Sequence, residues 1–499
     1  MTTIDSRLTP TGKATATLST HSGEGTPITV IGTDPIRQTF GDVCLTQAQN
    51  TRSAPGVTDL VLNPDAHLGY GAPVGCALSS PTHIYPGPVG VDIKCSMSLL
   101  QLDLPADGVE DRRTRRALID AILERTPTGP GKGQRSVAKG RPVDATLGAQ
   151  AVTEGASQDV LEALGIPVHW ATRCEDAVHV GHDGTRDALA DRLAVLRSGG
   201  GFQAFESKVR QLGSYGGGNH FGECEIVHVA DGEADLAEHF GLRDRHVGFL
   251  SHCGSRGFGY QLAQGQFRAM EQHFEREGWA YPAGDKQLVY APLGTALANA
   301  YIDDMSLGAN FATVNHLLIN ALVLEAFQEV LPGVQGDLVY FISHNIARLE
   351  EIDGEQAWVH RKGATRAFPA GHPGLVDTPF AETGHPILLP GDPLSGSAVM
   401  VAEPGARQSL YSVNHGAGRT MGRRHAKRTL DQAEVDAAFE REDVLSNCRR
   451  YPLDESPDAY KDFGEVIASV EKAGLARSVA SLDARFVIKD AEKQYRGAA

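Results

Sequence analysis

Two apolar segments, HVGFLSH and DLVYFISH, read as buried strands and stop on the same pair of residues, Ser251-His252 and Ser343-His344. A strand apolar throughout belongs inside a covered sheet, and a histidine at its end is delivered to the sheet's edge. One such histidine is ordinarily a hydrogen-bonded core residue. Two of the same form, beside Asp92 and Cys95 of GVDIKC and His220 of GGGNHFGECEI, are a donor set that a transition ion would draw to one point. These donors span residues 92 to 344 and must converge, which predicts one folding unit although 499 residues suggest two or more domains. The expected fold is α/β of mixed α+β character, a single compact domain over 27–499 with a metal site in a central polar cleft. Residues 1–26, rich in Thr, Ser and Gly, are expected to fray.

Hydrophobic residues make up 41% of the chain and charged residues 22%, an ordinary balance for a soluble globular protein. With 46 basic against 62 acidic side chains the formal charge is −16, so any polyanion must be met locally rather than through overall charge. Two basic runs offer this: Arg361, Lys362 and Arg366 in RKGATRA, and Arg419, Arg423, Arg424, Lys427 and Arg428 in VNHGAGRTMGRRHAKR. Both are interleaved with glycine and small residues, which suits a phosphate cradle at least as well as a solvated face. The first residues lack the basic and apolar parts of a secretory signal, and no uninterrupted apolar run reaches the roughly 20 residues of a membrane span. A cytoplasmic protein with no membrane partner is expected. Seven scattered cysteines without a CxxC pair form neither a disulfide framework nor a zinc finger.

Helices are predicted near Arg112–Glu124, after His252, where Ala263, Phe267, Met270 and Phe274 share one face, and from about Tyr301 to Val330 in a nearly all-apolar run. The CGSRG turn opens the second of these, so its N-terminus with Arg256 inside it is an anion site. The basic, glycine-rich stretch TPTGPGKGQRSVAKGRP is a loop that either orders on a phosphate or stays mobile.

In GVDIKC, Asp92 and Cys95 lie three apart, so a tight turn aims a carboxylate and a thiolate at one place. In GGGNHFGE, glycines strip away bulk before Asn219, His220 and Glu223, letting the backbone approach something large and polar. Thiolate and imidazole favour zinc, cobalt or iron, while the carboxylate admits manganese; a thiolate shared by two ions would suit phosphoryl chemistry.

Seven segments, NPDAHLGYG, GVDIKC, LGSYGGGNHFGECE, SHCGSRGFG, SHNI, RKGATRA and VNHGAGRTMGRR, occur in the order and approximate spacing of the RtcB RNA ligases. The chain resembles that family from about Asn63 to Lys489. The resemblance implies a GTP- and manganese-dependent ligase with an RtcB-like fold, joining an RNA 3′-phosphate or 2′,3′-cyclic phosphate to a 5′-hydroxyl through a histidine–GMP adduct. It implies His415 as the nucleophile and Asp92, Cys95, His220, His252 and His344 as ligands of two Mn2+ ions. Guanylate contacts carry over to Asn219, Glu223, Ser397, Gly416, Ala417, Gly418, Tyr460 and Lys489, and RNA phosphate contacts to Arg256 and Arg419. RNA with these ends is the implied partner, with an archease-type activator, and a monomer is the default state.

Three departures from the family pattern bear on this. Lys94 and Ser96 stand where glycines usually flank the metal cysteine. The usual PGSMG segment is PGDPLSG, placing Asp392 beside the nucleotide. Lys489 is followed by DAEKQYRGAA, where relatives tend to stop soon after the lysine. The alternatives are a metal-dependent RNA-end phosphoesterase, an enzyme that caps 3′ ends without sealing them, and a metal-loaded RNA-binding protein without an adduct.

Overall fold

The computed structural model describes residues 5–199 and 204–490. Its short apolar runs assemble into two large sheets. The first has the order Leu8–Pro10, Thr15–Leu18, Ile28–Ile31, Asp59–His67, Val74–Ser80, Glu355–Lys362, Asn345–Ile352, antiparallel except where Ile28–Ile31 meets Asp59–His67. The second has the order Gly336–Ser343, Ser96–Pro105, His246–Cys253, Phe221–Val229, Ala476–Lys489, Ser397–Ala402, Pro386–Pro390. Leu445–Ser446 pairs parallel with Ala476–Lys489. The chain is thus a mixed α+β fold, with strands from both ends of the sequence in each sheet's neighbourhood.

The expectation that residues 1–26 fray gives way to a paired hairpin. Leu8 pairs with Leu18, and Thr15–Leu18 pairs onward with Ile28–Ile31. Its apolar residues alternate: Leu8, Ala14, Ala16 and Leu18 are all buried. The Thr- and Ser-rich composition hides a period of two, whose inward positions are small or apolar. Residues 1–4 lie outside the described residues.

The predicted helices form as Arg112–Leu123, Arg256–Glu277 and Ala296–Val330. The last is long and apolar enough to span a bilayer by length and composition, although Asp303, Asp304, Asn310, Asn315, His316 and Asn320 interrupt its apolar run, and 94% of its most apolar stretch is buried within the fold. Its polar residues explain why it is a core helix: they pair with loops and strands packed around it. Asn310 Oδ1 accepts the His179 N–H at 2.8 Å, and Asn315 Oδ1 accepts the N–H groups of Gly213 and Ser214 at 2.8 and 3.2 Å. His316 bridges the Cys253 carbonyl at 2.9 Å and the Ser98 hydroxyl at 3.0 Å. A buried amide left unpaired would cost about 1–3 kcal/mol, so these pairings hold the loops to the helix.

Arg361 and Arg366, expected in a phosphate cradle, are instead structural. Arg361 makes a bidentate pair with Glu350 at 2.6 and 2.8 Å, and Arg366 pairs with Glu175 at 2.9 Å, all of them buried. Strand pairing turns these side chains inward, where carboxylates meet them. Buried Gln134 ties the loop around Gly131–Gly140 to its surroundings: its amide donates to the Arg125 carbonyl at 3.0 Å and its oxygen accepts the Arg141 N–H at 2.8 Å.

His360, fully buried in the first sheet, accepts the Tyr85 N–H on Nε2 at 3.0 Å and donates from Nδ1 to the Trp358 carbonyl at 3.1 Å. That tautomer is neutral, and burial lowers its pKa from 6.5 to about 3. The unfolded chain therefore takes up this proton first, so stability is lost as the pH falls from 6.5 towards 3. Urea midpoints measured across that window should fall on acidification. His360→Gln, which keeps an acceptor but cannot titrate, should reduce the slope by up to about 1.4 kcal/mol per pH unit; an unchanged slope contradicts the assignment.

Candidate active site

Four neighbouring strands of the second sheet end in one row. Ser96 pairs with Ser343 on one side and Cys253 on the other, Met97 pairs with His252, and Phe221 pairs with His252. Cys95 precedes Ser96, His344 follows Ser343 and His220 precedes Phe221, so the register alone lines up a thiol and three imidazoles. Neighbouring strands lie about 4.8 Å apart, close to the spacing that shared ligands need. Lys489 continues the row, paired with Phe221.

The side chains then converge. Cys95 Sγ lies 3.4 Å from His220 Nε2 and 3.2 Å from His252 Nε2, and His252 Nε2 lies 3.3 Å from His344 Nε2. Asp92 Oδ2 is 2.8 Å from His220 Nε2. The donors fall into two groups that can each hold a cation, Cys95–His252–His344 and Asp92–Cys95–His220, with Cys95 in both. Burial, reinforced by the neighbouring imidazoles, keeps His252 and His344 well below the usual imidazole pKa, so both present lone pairs. Burial opposes charge on His220, but Cys253, Asp92 and Cys95 around it prevail and raise its pKa well above the imidazole value. Burial and Asp92 push the Cys95 thiol far up; a cation displaces that proton when it binds. Converging ring nitrogens, a thiol and a carboxylate are a donor set that a divalent transition ion could take up at once.

His415 enters from the other side. It follows the short strand Ser412–Asn414, which pairs with Ala364–Arg366, and the Ala364 N–H donates to the His344 carbonyl at 3.1 Å. The rings of His415 and His344 are consequently 4.8 Å apart. Nδ1 of His415 donates to Asp65 Oδ2 at 2.6 Å, and the His415 N–H reaches the same oxygen at 3.1 Å. Asp65 is fully buried, and glycines make room for it. A Cβ on Gly418, at φ +75°, would lie 2.3 Å from the Asp65 carbonyl, and one on Gly75, at φ +83°, would lie 2.6 Å from Asp65 Oδ1. Lys461 donates to the carbonyls of Pro64 and Ala66 at 2.8 and 2.9 Å, fixing the backbone on both sides. Asp65 is the site residue that sequence reasoning passed over. Its signal was a carboxylate inside the apolar strand DLVLNPDAH.

His415, His252, His344, Asp92 and Cys95 line a cavity of about 380 Å³, together with Asn219, Glu223, Gly416, Ala417, Gly418, Arg419, Tyr460 and Lys489. Ser397, buried, does not line it; it begins the strand Ser397–Ala402 and pairs with Pro390, which does. At the far end Lys489 and the Tyr460 hydroxyl both meet Glu455, at 3.2 and 2.7 Å. Arg419 stacks over Tyr460 and donates to the Asp454 carbonyl at 2.6 Å. Lys489 therefore stands in the cavity wall despite the longer tail, whose residues 491–499 lie outside the described ones. Arg256 is not in this cavity; it lines a second one on the other side of Asp92.

Of the departures, Lys94 turns away from the reacting volume, whereas Asp392 stays in the cavity wall. Lys94, at φ +51° and fully buried, donates to Thr313 Oγ1 at 2.8 Å and the Asp176 carbonyl at 2.9 Å, and meets His179 Nε2 at 2.8 Å. Arg348 donates to His179 Nδ1 at 2.9 Å, which leaves the ring proton on Nε2 facing Lys94. That contact is a hydrogen bond when the amine is neutral, and burial lowers the Lys94 pKa to about 8. Asp392 caps its own turn, accepting from the N–H groups of Leu394 and Ser395 at 2.9 and 3.1 Å. It also repels charge from Glu223, whose pKa burial and Asp392 together raise to about 8.

Comparison with known proteins accords with this geometry. A family described as tRNA-splicing ligase RtcB matches residues 47–490. A tRNA-splicing ligase RtcB of Thermococcus kodakarensis is 34% identical over 88% of this chain and 90% of its own length. One of Nanoarchaeum equitans is 32% identical over 93% and 95%, and an RNA-splicing ligase RtcB of Mycobacterium tuberculosis is 33% identical over 87% and 98%.

Because Cys95 belongs to both donor groups and His344 to one, the two substitutions should differ. Equilibrium binding of Co2+ is expected to weaken at every site in Cys95→Ser, with loss of the thiolate-to-cobalt absorption, and at one site only in His344→Ala. Cys95→Ser binding cobalt like the parent protein contradicts the arrangement.

Proposed function

We propose, from the premise that this chain belongs to the RtcB family of RNA ligases, that it seals RNA 3′-phosphate or 2′,3′-cyclic phosphate ends to 5′-hydroxyl ends, using GTP and two manganese ions. The observation that carries the reading is His415 held on buried Asp65 beside His344, in a cavity that also contains Glu223 and Lys489.

Asp65 accepts a hydrogen bond from Nδ1–H, which keeps the proton there and leaves the lone pair of His415 on Nε2. Nε2 attacks the α-phosphorus of GTP; an N–P bond forms, the bond to the bridging oxygen breaks, and pyrophosphate leaves with the electron pair. The positive charge that develops on the ring is met by the Asp65 carboxylate. An oxygen of the RNA 3′-phosphate then attacks the same phosphorus and restores the imidazole. Finally the 5′-hydroxyl oxygen attacks the activated 3′-phosphorus, its proton passes to solvent, and GMP leaves. A cyclic phosphate is first opened by water to the 3′-phosphate.

Asp92, Cys95, His220, His252 and His344 would hold the manganese ions, which supply positive charge to the phosphates and lower the cost of bringing polyanions together. Glu223 is placed to receive the base: the two N–H donors of a guanine would favour the ionised carboxylate, which burial and Asp392 oppose before the base is bound. Gly416, Ala417 and Gly418 give the α-phosphate a path to His415 unobstructed by side chains. Ser397, Asn219, Tyr460 and Lys489 complete the guanylate's surroundings, and Arg419 stiffens the wall through Tyr460. Lys94 and Asp392 both leave His415 on Asp65, which favours a guanylating enzyme over the phosphoesterase alternative.

Sealing is tested with two short RNAs, one ending in a 2′,3′-cyclic phosphate and one starting with a 5′-hydroxyl, plus GTP and Mn2+. The joined product is expected from the parent protein and absent in His415→Ala. Asp65→Asn, which can present an N–H where Nδ1–H needs an acceptor, should slow sealing at least 100-fold, the order of a misplaced tautomer. Capped but unjoined 3′ ends would replace this reading with the capping one.

A further inference from the structure

Behind the metal-ligand loop lies a polar packing that the guanylate chemistry does not use. Lys94, one residue before Cys95, stands at φ +51°, a left-handed backbone that glycine adopts freely and a lysine keeps only when its surroundings hold it. Its fully buried side chain leads away from the cavity beside His415 to the segment Cys174–His179. Nζ donates to the Glu175 and Asp176 carbonyls at 3.2 and 2.9 Å and to Thr313 Oγ1 at 2.8 Å. It also packs over the Phe341 ring, 5.1 Å from the centroid. The lysine thus ties the metal loop both to this segment and to the core helix Ala296–Val330.

The same segment holds a second ligand from behind. Cys174 bridges Phe341 in parallel, and the Glu175 N–H donates to the Phe341 carbonyl at 2.8 Å. The buried Glu175 carboxylate then accepts both the N–H of Ser343, at 2.8 Å, and its hydroxyl, one residue before His344. Its other oxygen pairs with Arg366 at 2.9 Å, so the carboxylate is fixed from two sides. His179 closes the segment against the core helix, its N–H on Asn310 Oδ1 at 2.8 Å. In front, the His344 N–H donates to the Cys95 carbonyl at 2.9 Å and the Lys94 N–H to the Asn345 carbonyl at 2.7 Å.

Cys95 and His344 are therefore joined to each other by backbone and anchored, each through its preceding residue, to one buried segment. Lone pairs aimed at one point do not attract one another, so a site formed in advance needs support from outside the ligand set. We propose that Lys94 and Glu175 are positioning residues of the metal centre: through Cys174–His179 they hold Cys95 and His344 at a set separation, so that the Cys95–His252–His344 group is formed before a cation enters. The inference rests on the reading of that group as a cation site.

Equilibrium binding of Co2+ to the full chain, followed by the thiolate-to-cobalt absorption, tests this. Lys94→Met, which keeps the side chain's length and removes its donors, should weaken cobalt binding roughly 10- to 100-fold, the order of a lost outer contact to a ligand, and shift the absorption. Lys94→Gly should do the same although it relieves the left-handed backbone; cobalt binding like the parent's in this variant shows that only the turn matters and overturns the assignment. Glu175→Gln must turn an amide N–H towards Arg366 or Ser343, and should weaken the group containing His344 while leaving Asp92–Cys95–His220 intact. Thr313→Val, which keeps the lysine and removes one acceptor, should move affinity and absorption in the same direction by less. Urea midpoints of the metal-free proteins separate loss of fold from loss of ligand geometry: where Lys94→Met no longer unfolds cooperatively, Thr313→Val decides. Unmoved cobalt affinity and absorption in the folded variants overturn the positioning role and leave the metal reading intact. A parent protein that binds no cobalt overturns both.

Discussion

The antiparallel register of four strands is the constraint on which the site depends. Met97 opposite His252, Ser96 opposite Ser343 and Phe221 opposite His252 place the ends of four segments, more than a hundred residues apart in places, in one row. Because side chains alternate faces, a slip of one residue in any of these strands would turn its ligand away and send each core residue to the opposite, differently packed face. The hydrophobic core therefore protects the ligand geometry: register is enforced by residues such as Leu99, Leu100, Phe249 and Leu250, which are almost fully buried.

A second layer fixes the loops that the strands deliver. The Ala296–Val330 helix reaches the glycine-rich turn through Asn315 and the Cys253 carbonyl through His316, so the segments holding His220 and His252 share one rigid support. On the opposite side, the Asp65 strand and the glycine turn after His415 approach so closely that only glycine fits at 75 and 418. The tautomer of His415 is thus set by backbone packing as much as by the carboxylate. Two cavities sharing the Asp92 wall follow from placing the ligands at the sheet edge instead of within a closed barrel.

Much of this was legible in the residues. The strand-end histidines, GVDIKC and GGGNH gave the donor set because metal ligation restricts residue type and leaves a recognisable pattern. Asp65 was not singled out, since a carboxylate in a strand announces no partner until the fold brings position 415 to it. Arg361 and Arg366 misled for a related reason: a basic run looks alike whether it meets phosphate or buried Glu350 and Glu175, and only the pairing decides. The N-terminal hairpin was hidden by composition, because alternating alanine and leucine among threonines carries little apolar weight. Lys94 read as a charge beside the metal, whereas its left-handed backbone sends the side chain into a separate polar pocket.

The central claim is that Asp65 and the metal-bearing sheet edge make His415 a nucleophile towards a nucleotide. Incubating the protein with α-labelled GTP and Mn2+, denaturing it, and mapping the label by peptide mass tests this most directly. The account predicts one acid-labile, base-stable guanylate on the peptide containing His415. An unlabelled chain, or a label on any other residue, would contradict it.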